Sequence, residues 1–157
     1  MSAESTAKEK VVQNIYASWG AGKFNDPAVR DAELAKFFTE DAFFKCTMPQ
    51  DKALGGKVWT DPEKRADFGA FFAQFGPEAP ALLKFDLAPE PLGVLWMLET
   101  PDGKVHVKQE HKQTCLATNK SMTQVFYQEW VFDDSGMCKG CWNTMGNPSA
   151  VDAIWQA

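Results

Sequence analysis

The chain lacks any apolar run long enough to cross a bilayer. Its longest, Leu92 to Leu98, falls far short of the roughly 20 residues a membrane-spanning helix needs, so no membrane partner is expected. Its start, Met1 to Thr6, lacks the basic-then-apolar layout of a secretory signal. Basic residues are scattered: 16 Lys and Arg stand against 21 Asp and Glu, for a net charge of -5. No cluster of them can track a phosphate backbone, which argues against nucleic-acid binding. Cysteine is sparse. Cys46, Cys115, Cys138 and Cys141 are too few and too unevenly spaced to staple a chain of 157 residues. Four free thiols suit a reducing compartment, and a cytoplasmic protein is expected. There is no Gly-rich phosphate loop, serine elbow or clustered carboxylate pair, and neither a cofactor nor a metal is expected. No repeat, low-complexity tract or linker divides the chain, which reads as one domain over residues 1–157.

What the chain does have is aromatic bulk: 12 Phe, 6 Trp and 2 Tyr within a 45% hydrophobic composition. Side chains of that size fill a core, and they also wall a cavity where they do not meet. Val11, Val12, Ile15, Tyr16 and Trp19 recur at three- and four-residue spacing and predict a helix from about Ala3 to Gly20. Asp26-Pro27 opens a second helix carrying Val29, Leu34, Phe37 and Phe38, and Phe43 to Met48 then reads as a short strand. After a loop over Pro49 to Trp59, Asp61-Pro62 opens a third helix with the stripe Phe68, Phe71, Phe72 and Phe75, stopped by Gly76-Pro77. From there the pattern is strands separated by turn signals. They run Leu82–Leu87, Leu92–Glu99, Lys104–Thr118, Ser121–Phe132 and Met137–Met145, with a last short helix over Ser149 to Trp155. Helices first and hairpins after predict an α+β fold, three N-terminal helices on one face of a strongly curved, mainly antiparallel sheet.

Three passages carry a resemblance. They are Asn14-Ile15-Tyr16-Ala17-Ser18-Trp19-Gly20-Ala21-Gly22, Leu34-Ala35-Lys36-Phe37-Phe38-Thr39-Glu40-Asp41-Ala42 and Glu129-Trp130-Val131-Phe132-Asp133-Asp134-Ser135-Gly136. With the order of elements over nearly the whole chain, they resemble the nuclear transport factor 2-like superfamily, in its SnoaL-like and ketosteroid-isomerase-like branch. The resemblance implies a cone-shaped fold with a pocket between sheet and helices, often in a homodimer paired through the sheet. It implies no single function, because isomerases, cyclases, dehydratases, epoxide hydrolases, carriers and interaction modules share the fold.

In the isomerase-like members a Tyr on the first helix and a late-strand Asp polarise a substrate oxygen, while a carboxylate on the first strand moves the proton. In this sequence Tyr16 falls within one residue of the Tyr position, Cys46 on the base position and Gln128 on the late Asp position. Two acidic roles are therefore missing, and a base and its oxyanion donors must converge on one substrate to act. What remains is neutral polar groups among aromatics. Strand alternation puts Gln124, Phe126, Gln128, Trp130 and Phe132 on one face, taken as the pocket face, and sends Lys139, Cys141, Asn143 and Met145 inward from the last strand.

The candidate ligand-binding residues are Tyr16, Trp19, Phe68, Phe72, Phe126, Gln128, Trp130, Cys141, Asn143 and Met145, although core packing or a satisfied buried polar group is the plainer reading of each. Tyr16, His111 and Cys46 are the candidate catalytic groups, although no base for Cys46 is evident. His111 lies on the more apolar face of its strand, whereas His106 shares a solvated face with Lys108, Glu110 and Lys112. Cys138-Lys139-Gly140-Cys141 tempts a metal reading, but residues three apart on a regular strand point to opposite faces. The two thiols meet only if Gly140 makes a bulge or the strand has not yet begun. Two functional readings stay open: a pocket for a mostly apolar small molecule, with or without cofactor-free isomerase, cyclase or dehydratase activity, and a non-catalytic interaction or dimerisation module.

Overall fold

The computed structural model describes residues 4–47, 61–73, 83–86, 93–115 and 118–146. The expected 49–59 loop, the Gly76-Pro77 stop, Phe75 and the 149–155 helix lie outside those residues.

Helix α1, Ala7–Gly20, opens on a capping box in which Thr6 and Glu9 each bond the other's backbone N–H. Its stripe of Val12, Ile15 and Tyr16 is buried, as the three- and four-residue spacing predicts. Gly22, at φ +74, lies in the left-handed turn that follows the helix. The second carboxylate oxygen of Glu9 accepts the Glu99 N–H at 2.8 Å, and Lys8 donates to the Gly103 carbonyl at 2.9 Å. These bonds fix the helix to the hairpin between strands β3 (Val94–Glu99) and β4 (Val105–Cys115).

The other helices are shorter than expected. Asp26 caps only a turn, accepting from Ala28 N–H at 2.9 Å, and α2 runs from Arg30 to Ala35. A 3₁₀ turn over Arg65–Asp67 leads into α3, Phe68–Ala73. Among the described residues before 74, the chain is therefore less helical than the sequence suggests. Strand β1 spans Phe38–Thr47 and takes up residues expected in the second helix. Phe38 belongs to the strand because it pairs with Cys138 and packs on Phe68 and Trp130, at ring separations of 5.0 and 6.4 Å.

Strands β2 (Leu83–Asp86), β5 (Lys120–Phe132) and β6 (Cys138–Met145) complete one six-stranded sheet in the order β1-β6-β5-β4-β2. β3 pairs with the same edge of β4 as β2, farther along it. The sheet is mixed: β1 runs parallel to β6, and the other pairings are antiparallel. Irregular registers in the β1–β6, β3–β4 and β5–β6 pairings bend the strands and help curl the sheet.

The β6 bulge corrects the expected facing of the thiols. Val131 pairs with Gly140 and Phe132 with Cys138, so Lys139 is the extra residue. Side-chain parity resets across it: Cys138 and Cys141 are both fully buried and Lys139, expected inward, is exposed. Gly140 makes this possible, because a Cβ there would lie 2.5 Å from the Phe43 ring that crosses the strand. All four cysteines are free thiols. No helix among the described residues is long and apolar enough to cross a membrane.

Candidate functional site

Pairing in the sheet lays its inward side chains out in rows. The first is Val105, Trp130, Cys141 and Phe44, from β4, β5, β6 and β1. The helices cover this row. Trp130 lies at its centre, with Tyr16 at 5.9 Å and Phe44 at 6.1 Å between ring centroids. Phe68 and Phe72 are buried in the same core, and Phe72 packs on Trp19 at 5.3 Å. These rings interlock with one another, which is what large aromatic side chains do when helix and sheet meet closely.

One step along the strands the chemistry changes. The second row is Val107, Gln128, Asn143 and Cys46; the third is Gln109, Phe126 and Met145; the fourth is His111 and Gln124. Gln109, His111, Gln124, Gln128 and Asn143 are all buried, and these rows contain no carboxylate, ammonium or guanidinium. Buried amides are costly unless hydrogen-bonded. Five neutral polar side chains on one face therefore set it apart from an ordinary core.

Tyr16 and Gln128 meet directly, with the phenol O–H donating to Gln128 Oε1. Burial raises the Tyr16 pKa well above its ordinary range, and the neighbouring Cys141 pushes it the same way. The indole N–H of Trp130 faces the phenol and opposes that shift, yet among the described residues it has no acceptor in hydrogen-bonding geometry. Asn143 donates to Cys46 Sγ at 3.5 Å. Burial pushes the Cys46 thiol up to about 12, against a smaller lowering by the Asn143 amide. His111 stacks on Phe126 at 5.1 Å, and burial brings its pKa down to about 4. At neutral pH all three candidate catalytic groups are thus uncharged.

The sheet therefore brings Gln128, Trp130, Asn143, Cys46 and Cys141 into two adjoining rows, which Tyr16 meets from α1, with Phe126, Met145 and His111 just beyond. Trp19, Phe68 and Phe72 sit in the helical layer above the first row. Gln109 and Gln124 are absent from the candidate set, although the alternation that selects Gln128 selects Gln124 as well and the parity of His111 selects Gln109. Among the described residues no three His, Cys, Asp or Glu side chains are grouped to hold a metal ion.

The opposite face of the sheet carries an open groove of about 390 Å³, whose lining includes His106, Tyr127, Glu129, Trp142 and Thr144. Around it Trp96, Leu98, Tyr127 and Trp142 are exposed.

No protein-family model matches the chain, and no curated protein matches it in sequence. Solved structures do match in fold. A nuclear transport factor 2-like protein from Burkholderia xenovorans aligns with TM-score 0.70 and 14% identity over 98% of this chain and 100% of its own. Bal32a, from a soil-derived mobile gene cassette, aligns with TM-score 0.66 and 19% identity over 95% and 96%. A protein assigned as a SnoaL-like polyketide cyclase from Shewanella denitrificans aligns with TM-score 0.63 and 11% identity over 94% and 96%. The chain has the nuclear transport factor 2-like fold of these proteins.

Proposed function

We propose that the concave face of the sheet binds an uncharged, mostly apolar small molecule. One observation carries the reading: Gln109, His111, Gln124, Gln128 and Asn143 are gathered on that face with aromatic and aliphatic neighbours and without a charged side chain in their rows. A few placed polar groups in an apolar wall orient a ligand, and rows without a charged side chain of their own, where the Asp61 carboxylate beside Cys46 accepts the Cys46 N–H at 3.2 Å, penalise an anionic one. The fold shared with proteins that include a SnoaL-like polyketide cyclase supports the same reading.

Binding is favoured over turnover because the proton-transfer equipment is thin. The Tyr16 O–H is committed to Gln128, and the Cys46 thiol is held near 12, far from nucleophilic thiolate. A cofactor-free isomerase, cyclase or dehydratase is the second reading. It is favoured by His111, a neutral imidazole among the polar rows, although a pKa of about 4 makes it a weak base at neutral pH. We further propose a cytoplasmic setting, which suits four free thiols, and a homodimer through the outer face of the sheet. The alternative that the chain is only an interaction module shares that dimer and differs in having no ligand.

Nile red, an uncharged dye that brightens in apolar surroundings, tests the reading. It should bind saturably, and Phe126→Lys, which places a charge on the concave face, should abolish the signal. Tyr127→Lys, one residue along the same strand and facing outward, should preserve it. Loss with Tyr127→Lys and retention with Phe126→Lys would place the dye outside and refute the proposal.

A further inference from the structure

Gln124 is fully buried, and its amide is only half satisfied. Nε2 donates to the Val125 carbonyl at 3.0 Å, while among the described residues no donor reaches Oε1. The Val125 carbonyl also settles which end of the amide is which. Turning the group over would set two acceptor oxygens against each other, so the NH₂ must stay where it is and the oxygen is the open end. An acceptor removed from water and left without a donor is a standing cost to the fold. Beside it, the fourth and third rows supply His111 in register and the His111–Phe126 stack, a flat wall. Gln128 is less demanding, because its own oxygen already accepts from Tyr16, whereas the Gln124 oxygen accepts from no described residue.

We propose that Gln124 reads a hydrogen-bond donor on the bound molecule, so that the preferred ligands are uncharged apolar compounds bearing a hydroxyl or an N–H group. The inference rests on the concave-face reading above and adds a chemical requirement to it. A site with a buried acceptor discriminates against an analogue that lacks the matching donor, because that analogue leaves the acceptor unpaired. An apolar wall alone would accept both.

Two matched probes separate these cases. 2-Naphthol and 2-methoxynaphthalene share a bicycle and an oxygen, and only the first can donate. Calorimetric titration should show 2-naphthol bound about tenfold more tightly, the effect of one hydrogen bond. Gln124→Leu should bring 2-naphthol down to the level of the ether and leave the ether unchanged. Gln124→Met, a flexible side chain of similar length, repeats the test should the branched one unfold the protein, with circular dichroism as the check on folding. Equal affinity of the two probes in the unmodified protein overturns the donor requirement and leaves the apolar site standing. A preference that survives in the folded variants overturns it too, because the donor would then meet another residue. Binding of neither naphthalene also overturns it, and the Nile red titration then decides whether the concave-face reading falls as well.

Discussion

Tyr16 and Gln128 meet in a dry interior, where removing one partner costs more than removing both. Tyr16→Phe leaves the Gln128 carbonyl buried without its donor, and should lower stability by about 1–3 kcal/mol in urea unfolding. Adding Gln128→Leu should recover part of that loss, and a strictly additive double variant would mean the two groups are not coupled. Two further, buried residues contribute to the acid response. His111 has its pKa lowered from 6.5 to about 4 by burial, so between those values the unfolded chain binds the proton and the folded one does not. Stability is therefore lost as pH falls from about 6.5 to about 4, and His111→Phe should flatten that limb of the profile. Glu33 accepts from Lys36 and from Ser18 at 2.6 Å, and these bonds lower its pKa from 4.5 to about 2. Its contribution is complete above 4.5 and disappears as pH falls through 2. Glu33→Gln should lower stability at neutral pH and flatten the more acid limb while leaving the His111 limb in place. Denaturant midpoints measured across pH check both, and identical profiles for either variant and the parent would count against the assignment.

Elements were legible where periodicity is strong. The stripe of α1 and the strand patterns of β3 to β6 yielded bounds within about four residues of those observed, because turn signals such as Pro101-Asp102-Gly103 bracket each strand. β1 was not legible at its start. Leu34, Phe37 and Phe38 mimic a helical stripe, and only pairing with β6, distant in sequence, draws Phe38 into a strand. The bulge at Lys139 was legible only as the condition under which the two thiols could meet, with Gly140 its one local signal. It reversed the expected facing of Cys138 while leaving Cys141, Asn143 and Met145 inward as alternation predicts. Of the inward-facing polar residues, alternation singled out Gln128 and Asn143 and the resemblance singled out Tyr16 and Cys46; which of them touch is set by tertiary packing. Gly140 offers a direct test of the bulge. Gly140→Ala would press a methyl into the Phe43 ring and should cost about 1–3 kcal/mol, the usual price of overpacking. Phe43→Ala in the same chain should relieve most of that penalty, whereas an unaltered midpoint for Gly140→Ala alone would show that the ring does not lie where the bulge puts it.

At the scale of the whole molecule the two faces of the sheet have opposite problems. The concave face is covered by helices at one end, while the convex face leaves large apolar side chains in water. Trp96, Leu98, Tyr127 and Trp142 are 46%, 57%, 45% and 47% exposed on β3, β5 and β6. Large apolar side chains exposed together on one face of a sheet mark an interface. The polar residues among them carry both signs: Lys45 lies over the Trp142 ring at 5.0 Å, Lys108 over Tyr127 at 5.8 Å, and Lys104 pairs with Glu129 at 3.1 Å. A two-fold axis brings a surface against its own copy, so mixed charges and central aromatics are what self-pairing requires. The prediction is a homodimer of this 17.5 kDa chain. Sedimentation equilibrium should give twice the monomer mass at micromolar concentration. Trp142→Glu should return the monomer, because the substitution buries a carboxylate at the centre of the joint. The concave rows lie on the other side of the sheet, so that variant should still bind Nile red if it stays folded. A parent chain that sediments as a monomer at every concentration would remove the dimer and leave the exposed aromatics needing another partner.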